Sequence, residues 1–220
     1  MADEPEAGGS PPCLLHELGP DQATVIDAQQ ASDVARWRRA QRARLLAQRA
    51  ALAPAARAAV SAAIARELER LIPPEAAVVS VYWPIRAEPD LREWMRARAA
   101  SGRRVALPVA LAHGQPLGFR AWHPGARMAH GLWRIPYPAE GEELRPDVAL
   151  APLVGFDAAG FRLGYGGGFF DRTLAVLQPR PLVIGVGHDA AEIRTIYPQA
   201  HDIGMDWIVT GTTPSRCFPR

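Results

Sequence analysis

Residues 151–177 read APLVGFDAAGFRLGYGGGFFDRTLAVL, and this stretch decides the fold. An apolar run ends in Gly155, Phe156 and Asp157. A short turn leads to Arg162, then to four glycines within five positions (Gly164, Gly166, Gly167, Gly168), followed by Phe169, Phe170 and Asp171. Beyond Asp171 apolar residues return with helical spacing. The pattern is strand, Gly-rich loop, helix. Glycine lets the backbone take positive φ and lets a ligand approach the main chain closely. A loop of this kind that opens a helix is an anion site, because unpaired N–H groups and the positive end of the helix dipole both face the ligand. Arg162 ahead of the loop supplies a cation for phosphate, and Asp171 behind it a carboxylate for a metal. The plainer alternative is a tight strand-to-helix connection with no ligand. Four glycines with flanking charges exceed what a turn alone requires.

Outward from the loop, strands and helices alternate. Downstream, 182–186 (LVIGV) is a buried strand and 190–196 a short helix. The segment 201–210 (HDIGMDWIVT) carries Asp202 and Asp206 four apart, then a last strand. Upstream, 147–154 is the strand that enters the loop, 104–109 (RVALPV) another, and 118–122 a more exposed one. The run 76–82 (AAVVSVY) is the first strand. A loop at 83–90 (WPIRAEPD) follows it, then a helix to about residue 100. Glu88 and Asp90 stand at the carboxyl end of that strand, where open α/β sheets bind ligands. Asp90 also occupies a helix-capping position, its plainer role. The irregular segment 122–138 carries His123 and His130 seven apart with no third metal ligand nearby, so both read as ordinary loop histidines. Trp133, Ile135 and Tyr137 either line a flat aromatic ligand or seal an edge of the core.

The amino-terminal third is helical. Residues 33–52 form a helix with Ser32 or Asp33 as its cap, and Pro54 breaks it. Arg36, Arg38, Arg39, Arg42, Arg44 and Arg49 crowd this segment, and a solvated charged face is the default for such a run. Arg38 and Arg42 are four apart and share a face that can approach an anionic ligand. A second helix over 55–71 places Val60, Ile64, Leu68 and Leu71 on one core-facing stripe. Residues 1–32, beginning MADEPEAGGSPP, are predicted to be a disordered extension, acid-rich where a mitochondrial transit peptide would be acid-poor. This organisation predicts one α/β domain over 33–214 with a short tail at 215–220. The fold class is a three-layer, Rossmann-like open sheet of mixed or parallel strands with helices on both faces.

Composition bounds the function. The 220 residues are 48% hydrophobic and 22% charged, with a net charge of +2. That balance argues against an electrostatic nucleic-acid binder, and no window of about 18 apolar residues indicates a membrane span. All 25 basic residues are arginine, so any cationic phosphate contact is made by a guanidinium. The absence of lysine excludes a P-loop. A dinucleotide fingerprint fails at its sixth position, which is Phe169, and lacks the acidic residue about 20 positions on. Cys13 and Cys217 have no metal-ligand spacing and accompany no secretory signal, which points to a reducing, cytoplasmic compartment.

The ordered run Gly155-Phe156-Asp157, Gly160, Arg162-Leu163-Gly164-Tyr165-Gly166-Gly167-Gly168-Phe169-Phe170-Asp171-Arg172 resembles the signature of the 5-formyltetrahydrofolate cyclo-ligase family. The resemblance spans about residues 34–210. It implies ATP- and Mg²⁺-dependent closure of 5-formyltetrahydrofolate to 5,10-methenyltetrahydrofolate through a phosphorylated formyl group. It also implies roles. Arg38 and Arg42 contact ATP, together with Arg162, Leu163, Gly164, Tyr165, Gly166, Gly167, Gly168, Phe169 and Phe170. Ile85, Glu88 and Asp90 hold the folate, joined by Tyr165, Gly166, Gly167, Gly168 and Phe169. Arg162, Tyr165 and Gly167 serve the chemistry, and Asp171 and Asp202 hold Mg²⁺. Trp133 to Pro138 resembles the family's linker before its central strand, and His201-Asp202 with Met205-Asp206 its C-terminal acidic segment. Two residues depart from the pattern: Arg38 stands where lysine is usual, and Tyr137 where glutamate is frequent. The implied partners are ATP and a reduced folate, with no nucleic acid or membrane, on a monomer or weak dimer. The alternatives are an enzyme that uses ATP on another small carboxylate or amide, and a non-catalytic paralogue that keeps the fold.

Overall fold

A computed structural model describes residues 28–219. The predicted extension therefore lies, up to residue 27, outside the described residues. Residues 28–32 are helical, because α1 runs Ala28–Ala51 and begins ahead of the expected cap. AQQAS holds no helix breaker, and Asp33 pairs inside the helix with Gln29 and Arg36 rather than capping it. Pro54 takes the first position of α2 (Pro54–Leu71), where its missing N–H is no loss.

The rest of the chain builds a sheet. In chain order it supplies β1 (Val78–Ser80), α3 (Arg92–Ala100), β2 (Arg104–Val109), β3 (Gly118–Trp122), β4 (Met128–His130) and β5 (Pro136–Pro138). There follow β6 (Val148–Pro152), β7 (Gly155–Phe156), β8 (Arg162–Leu163), α4 (Phe169–Val176), β9 (Leu182–Val186), β10 (Trp207–Val209) and β11 (Arg216–Cys217). Seven strands form the main sheet in the order β11-β10-β9-β6-β1-β2-β3. The five inner strands are parallel, and the edge strands β3 and β11 are antiparallel to their neighbours.

Side chains alternate across this sheet and are buried on both faces, as a covered parallel sheet requires. Val79, Val105, Leu107, Val148, Leu150, Ile184 and Val186 pack with Ile64 and Leu68 of α2 and with Trp94 and Met95 of α3. On the other face, Ala151, Val183 and Ile208 pack with Leu174 of α4. The expected stripe on α2 is therefore core, centred on the fully buried Ile64 and Leu68.

Three local expectations change. The helix expected over 190–196 is only a 3₁₀ turn at Asp189–Ala191, because Ile193 turns away to donate its N–H to the Phe156 carbonyl at 2.8 Å. The tail expected at 215–220 contributes β11, which pairs with β10. The irregular segment 122–138 contains the β4–β5 hairpin. The strand order also places the ligand crevice. From β1 the chain moves to β2 on one side, and β6, β9 and β10 then extend the sheet on the other. The direction reverses between β1 and β6, and a crevice opens beyond the carboxyl ends of those strands.

Candidate active site at the strand ends

A cavity of about 540 Å³ occupies that crevice, within the usual range for small-molecule sites. Its walls come from four places. Tyr82, Trp83, Ile85, Arg86 and Glu88 follow β1, and Pro108 and Pro152 end β2 and β6. Trp133, Ile135 and Tyr137 come from the β4–β5 hairpin, so these aromatics line a ligand space. Residues 162–171 form the floor, and Arg38, Arg42 and Asp202 close one end. All the expected site residues except Asp90 are brought together here. Asp90 accepts hydrogen bonds from the Arg92 backbone N–H at 3.0 Å and from the Arg92 side chain at 2.5 to 3.0 Å, on the surface outside the cavity. The cap residue of α3 is Leu91, which makes no side-chain cap bond, and Asp90 holds the Arg92 N–H from one position earlier.

The Gly-rich loop is shaped by arginines that grip it from outside. Arg42 Nε donates to the Gly164 carbonyl at 2.6 Å, and Arg172 Nη2 donates to the Gly167 carbonyl. With those carbonyls engaged, the N–H groups of Gly166, Gly167 and Gly168 have no acceptor among the described residues. Gly166 (φ 95°) and Gly168 (φ 63°) occupy the left-handed region, which a side chain would strain. A Cβ on Gly166 would also lie 3.4 Å from the Arg42 guanidinium carbon. The helix α4 starts at the next residue, Phe169, and faces its N-terminus to the same space.

Two ion pairs flank the loop. Arg162 Nη2 donates to Asp171 Oδ2 at 3.1 Å, and the guanidinium lies over the Phe170 ring, 4.9 Å from its centroid. Arg38 Nη2 donates to Asp202 Oδ2 at 2.5 Å and to the Tyr197 carbonyl at 2.8 Å, while its Nε donates to the Ile196 carbonyl at 2.8 Å. Burial lowers the pKa of Arg162 and of Arg42, and Arg38 adds to the effect at Arg42. Both stay charged, because guanidinium is so basic. Arg42 Nη1 and Nη2 have no hydrogen-bond partner among the described residues.

The opposite end is built around Glu88. Its Oε1 accepts from the Tyr165 hydroxyl at 2.7 Å and its Oε2 from the Ile85 N–H at 2.9 Å. Burial pushes the Glu88 carboxyl up, opposed by those two hydrogen bonds and by Arg49 and Arg86. Burial and the Glu88 charge push the Tyr165 hydroxyl up, so it stays protonated. Trp133 stands over the loop, edge-on to Phe169 with ring centroids 5.4 Å apart.

Sequence reasoning missed Trp83 and Arg49. Trp83 lies just past β1, where the strand-end rule points, and its position was a usable signal. Arg49 was absorbed into the presumed solvated run. Its spacing with Arg38, Arg42 and Leu45 was the available sign: Val34, Arg38, Leu45 and Arg49 form the buried stripe of α1, with Arg42 half-buried beside it. The default reading holds for Arg36, Arg39 and Arg44, which are exposed, and is corrected for Arg38, Arg42 and Arg49, whose partners are carbonyls and a carboxylate of distant segments rather than water.

An open α/β sheet with a cavity at its switch point defines a small-molecule-binding domain, with a glycine cradle at one end and a carboxylate among aromatics at the other. A profile of the 5-formyltetrahydrofolate cyclo-ligase family matches residues 34–211, and the chain belongs to that family. It is 35% identical over 140 residues to the 5-formyltetrahydrofolate cyclo-ligase of Mycolicibacterium smegmatis, covering 60% of this chain and 72% of that one. It is 32% identical over 140 residues to the enzyme of the same name from Escherichia coli K12, covering 60% and 76%. Among solved structures, the 5,10-methenyltetrahydrofolate synthetase of Aquifex aeolicus superposes with a TM-score of 0.71 at 27% identity, over 83% of this chain and 93% of the other. The synthetase of Mycoplasma pneumoniae shares the fold, with a TM-score of 0.64 at 21% identity over 78% and 97%. No helix among the described residues is long and apolar enough to cross a membrane.

Proposed function

We propose that this chain catalyses ATP-dependent conversion of 5-formyltetrahydrofolate to 5,10-methenyltetrahydrofolate, releasing ADP and phosphate. One observation carries the proposal. A single cavity joins a phosphate-type cradle, formed by the unengaged N–H groups of Gly166 to Gly168 with Arg42 and Arg162, to an end built for a flat polar ring, formed by Glu88, Tyr165 and Trp133. A cytoplasmic monomer or weak dimer goes with this reading.

The chemistry asks for alignment more than for covalent help from the protein. An amide-like formyl oxygen is a poor leaving group. Transfer of the γ-phosphoryl group to that oxygen breaks the bond to ADP and leaves an iminium phosphate at N5. N10 then attacks the formyl carbon, inorganic phosphate departs, and the N10 proton is lost. Arg42 and Arg162 neutralise charge on the phosphoryl oxygens. The Gly167 N–H and its neighbours, preorganised by Arg42 and Arg172, donate to them without reorganising during the step. Glu88 accepts from the amide and amino N–H groups of the pterin edge, and Tyr165, bonded to Glu88, holds the reacting face next to the loop. Cavity walls of tryptophan, tyrosine and proline exclude water that would hydrolyse the phosphorylated intermediate.

Asp171 and Asp202 line the same cavity end and offer hard oxygen donors suited to Mg²⁺. No group of three or more His, Cys, Asp or Glu able to hold a metal occurs among the described residues. This fits an ion that takes only one or two carboxylates and completes its shell with phosphate oxygens and water. Bound there, Mg²⁺ would supply charge neutralisation on the transferring phosphate.

The test is the rise in methenyl absorbance when the purified chain meets 5-formyltetrahydrofolate, ATP and Mg²⁺. A rise that requires ATP supports the reading. No rise, with ATP and folate both bound, overturns it in favour of a non-catalytic paralogue.

A further inference from the structure

Arg49 does not line the cavity, yet its guanidinium joins three segments that build it. The side chain is buried on α1. It donates from Nε to the Arg86 carbonyl at 2.9 Å, from Nη1 to the Leu153 carbonyl at 3.3 Å, and from Nη2 to the Tyr165 hydroxyl at 2.5 Å. Those acceptors belong to the loop after β1, the end of β6 and the Gly-rich loop. A guanidinium only donates. The Tyr165 oxygen must therefore accept from Arg49, and its own proton is left for Glu88 Oε1 at 2.7 Å. The Arg86 carbonyl belongs to a strained turn: Arg86 (φ 47°) and Ala87 (φ 61°) are both left-handed without being glycine. That turn carries Glu88.

We propose that Arg49 is a positioning residue for the folate end of the site. It fixes the Tyr165 hydroxyl as a donor to Glu88 and pins the left-handed turn 86–87, so that Glu88 meets the substrate with its carboxyl group oriented. The folate part of this proposal rests on the function proposed above; the Arg49–Tyr165–Glu88 chain does not.

The charges around Glu88 come from every element packed on it. Arg49 reaches it from α1, Tyr82 from the end of β1, Arg86 from its own loop and Tyr165 from the Gly-rich loop. His188, after β9, meets the same turn through the Ala87 carbonyl at 3.2 Å, and burial lowers its pKa. Arg49 and Arg86 are the cations among these, and both hold the buried carboxyl down. Loss of Arg49 leaves that carboxyl freer to protonate.

Two measurements on the full chain test this with Arg49→Gln and Arg49→Lys. The first is equilibrium binding of 5-formyltetrahydrofolate and of ATP across pH, read from tryptophan fluorescence. Arg49→Gln is expected to weaken folate binding about tenfold at neutral pH. It should also move the acid limb of folate binding up by about one pH unit and leave ATP binding within about twofold. Arg49→Lys, which keeps the charge, recovers part of the loss. Equal losses for both ligands with an unmoved acid limb would reduce Arg49 to a brace and overturn the proposal.

The second measurement needs no folate. Thermal unfolding of the ligand-free variants should show a deficit that grows as pH rises through the carboxyl's raised pKa, since the poorly compensated carboxylate forms only there. A deficit independent of pH overturns the proposal. If the unaltered chain binds no folate, the functional reading fails, while the thermal series still decides the role of Arg49. Arg49→Lys carries that series should Arg49→Gln not fold.

Discussion

α1 and α2 are successive helices rich in alanine and arginine, and they bury opposite kinds of side chain. α2 buries Ile64 and Leu68 against the sheet. α1 buries Arg38 and Arg49 alongside Val34 and Leu45. A buried aliphatic side chain needs only apolar neighbours, and the sheet face provides them without regard to direction. A buried guanidinium needs acceptors at fixed positions, since an unpaired one carries a large desolvation penalty. The arginines of α1 find theirs in the carbonyls of Gly164, Arg86, Leu153, Ile196 and Tyr197 and in Asp202. The difference teaches that α2 holds the domain together, whereas α1 holds the site's loops in register.

Substitutions separate the two roles. The largest effect is expected at the carboxylate that faces the α1 end of the cavity. Asp171→Asn should lower kcat by about a hundredfold or more, with helical circular dichroism retained. Unchanged turnover would remove Asp171 from the metal role. Next is the core side of the comparison. Leu68→Ala should cost about 2–5 kcal/mol of stability, measured by urea unfolding, with turnover per folded molecule at low temperature close to that of the unaltered chain. A parallel loss of kcat would show that α2 also shapes the site.

On the α1 side, Arg42→Ala should raise the KM for ATP about tenfold while costing only about 1 kcal/mol of stability, the scale of one hydrogen bond. The reverse pattern would erase the distinction between the helices. The smallest effect is expected at Asp90, whose carboxylate is bound to Arg92 on the surface. Asp90→Asn should change stability by at most about 1 kcal/mol and leave the KM for folate unaltered. A severalfold rise in that KM would return Asp90 to the site.

Much of the site was legible in the chain because its densest part is local. Arg162, the glycines and Asp171 fall within ten consecutive residues, and a strand, loop and helix of that length can be arranged in few ways. Glu88 was legible through a topological rule, since it follows the first strand. Its neighbour Asp90 was not separable from it, because two acidic residues two apart obey the same rule. Arg92, next in space to Asp90, removed it from the cavity. β11 was illegible for a different reason. Two residues carry no periodicity, and only the unpaired edge of β10 makes Arg216–Cys217 a strand.

By itself the sequence determined the alternation of strands and helices, the position of the anion-binding loop, and the use of guanidinium wherever phosphate meets a cation. It also determined that Arg38, Arg42 and Arg49 lie near one face of a helix, since helical spacing is a property of the chain alone. The tertiary structure decided that this face is buried. The buried arginines of α1 are held in the interior by carbonyls and a carboxylate of distant segments, and those acceptors come from loops separated from them by between 37 and 164 residues.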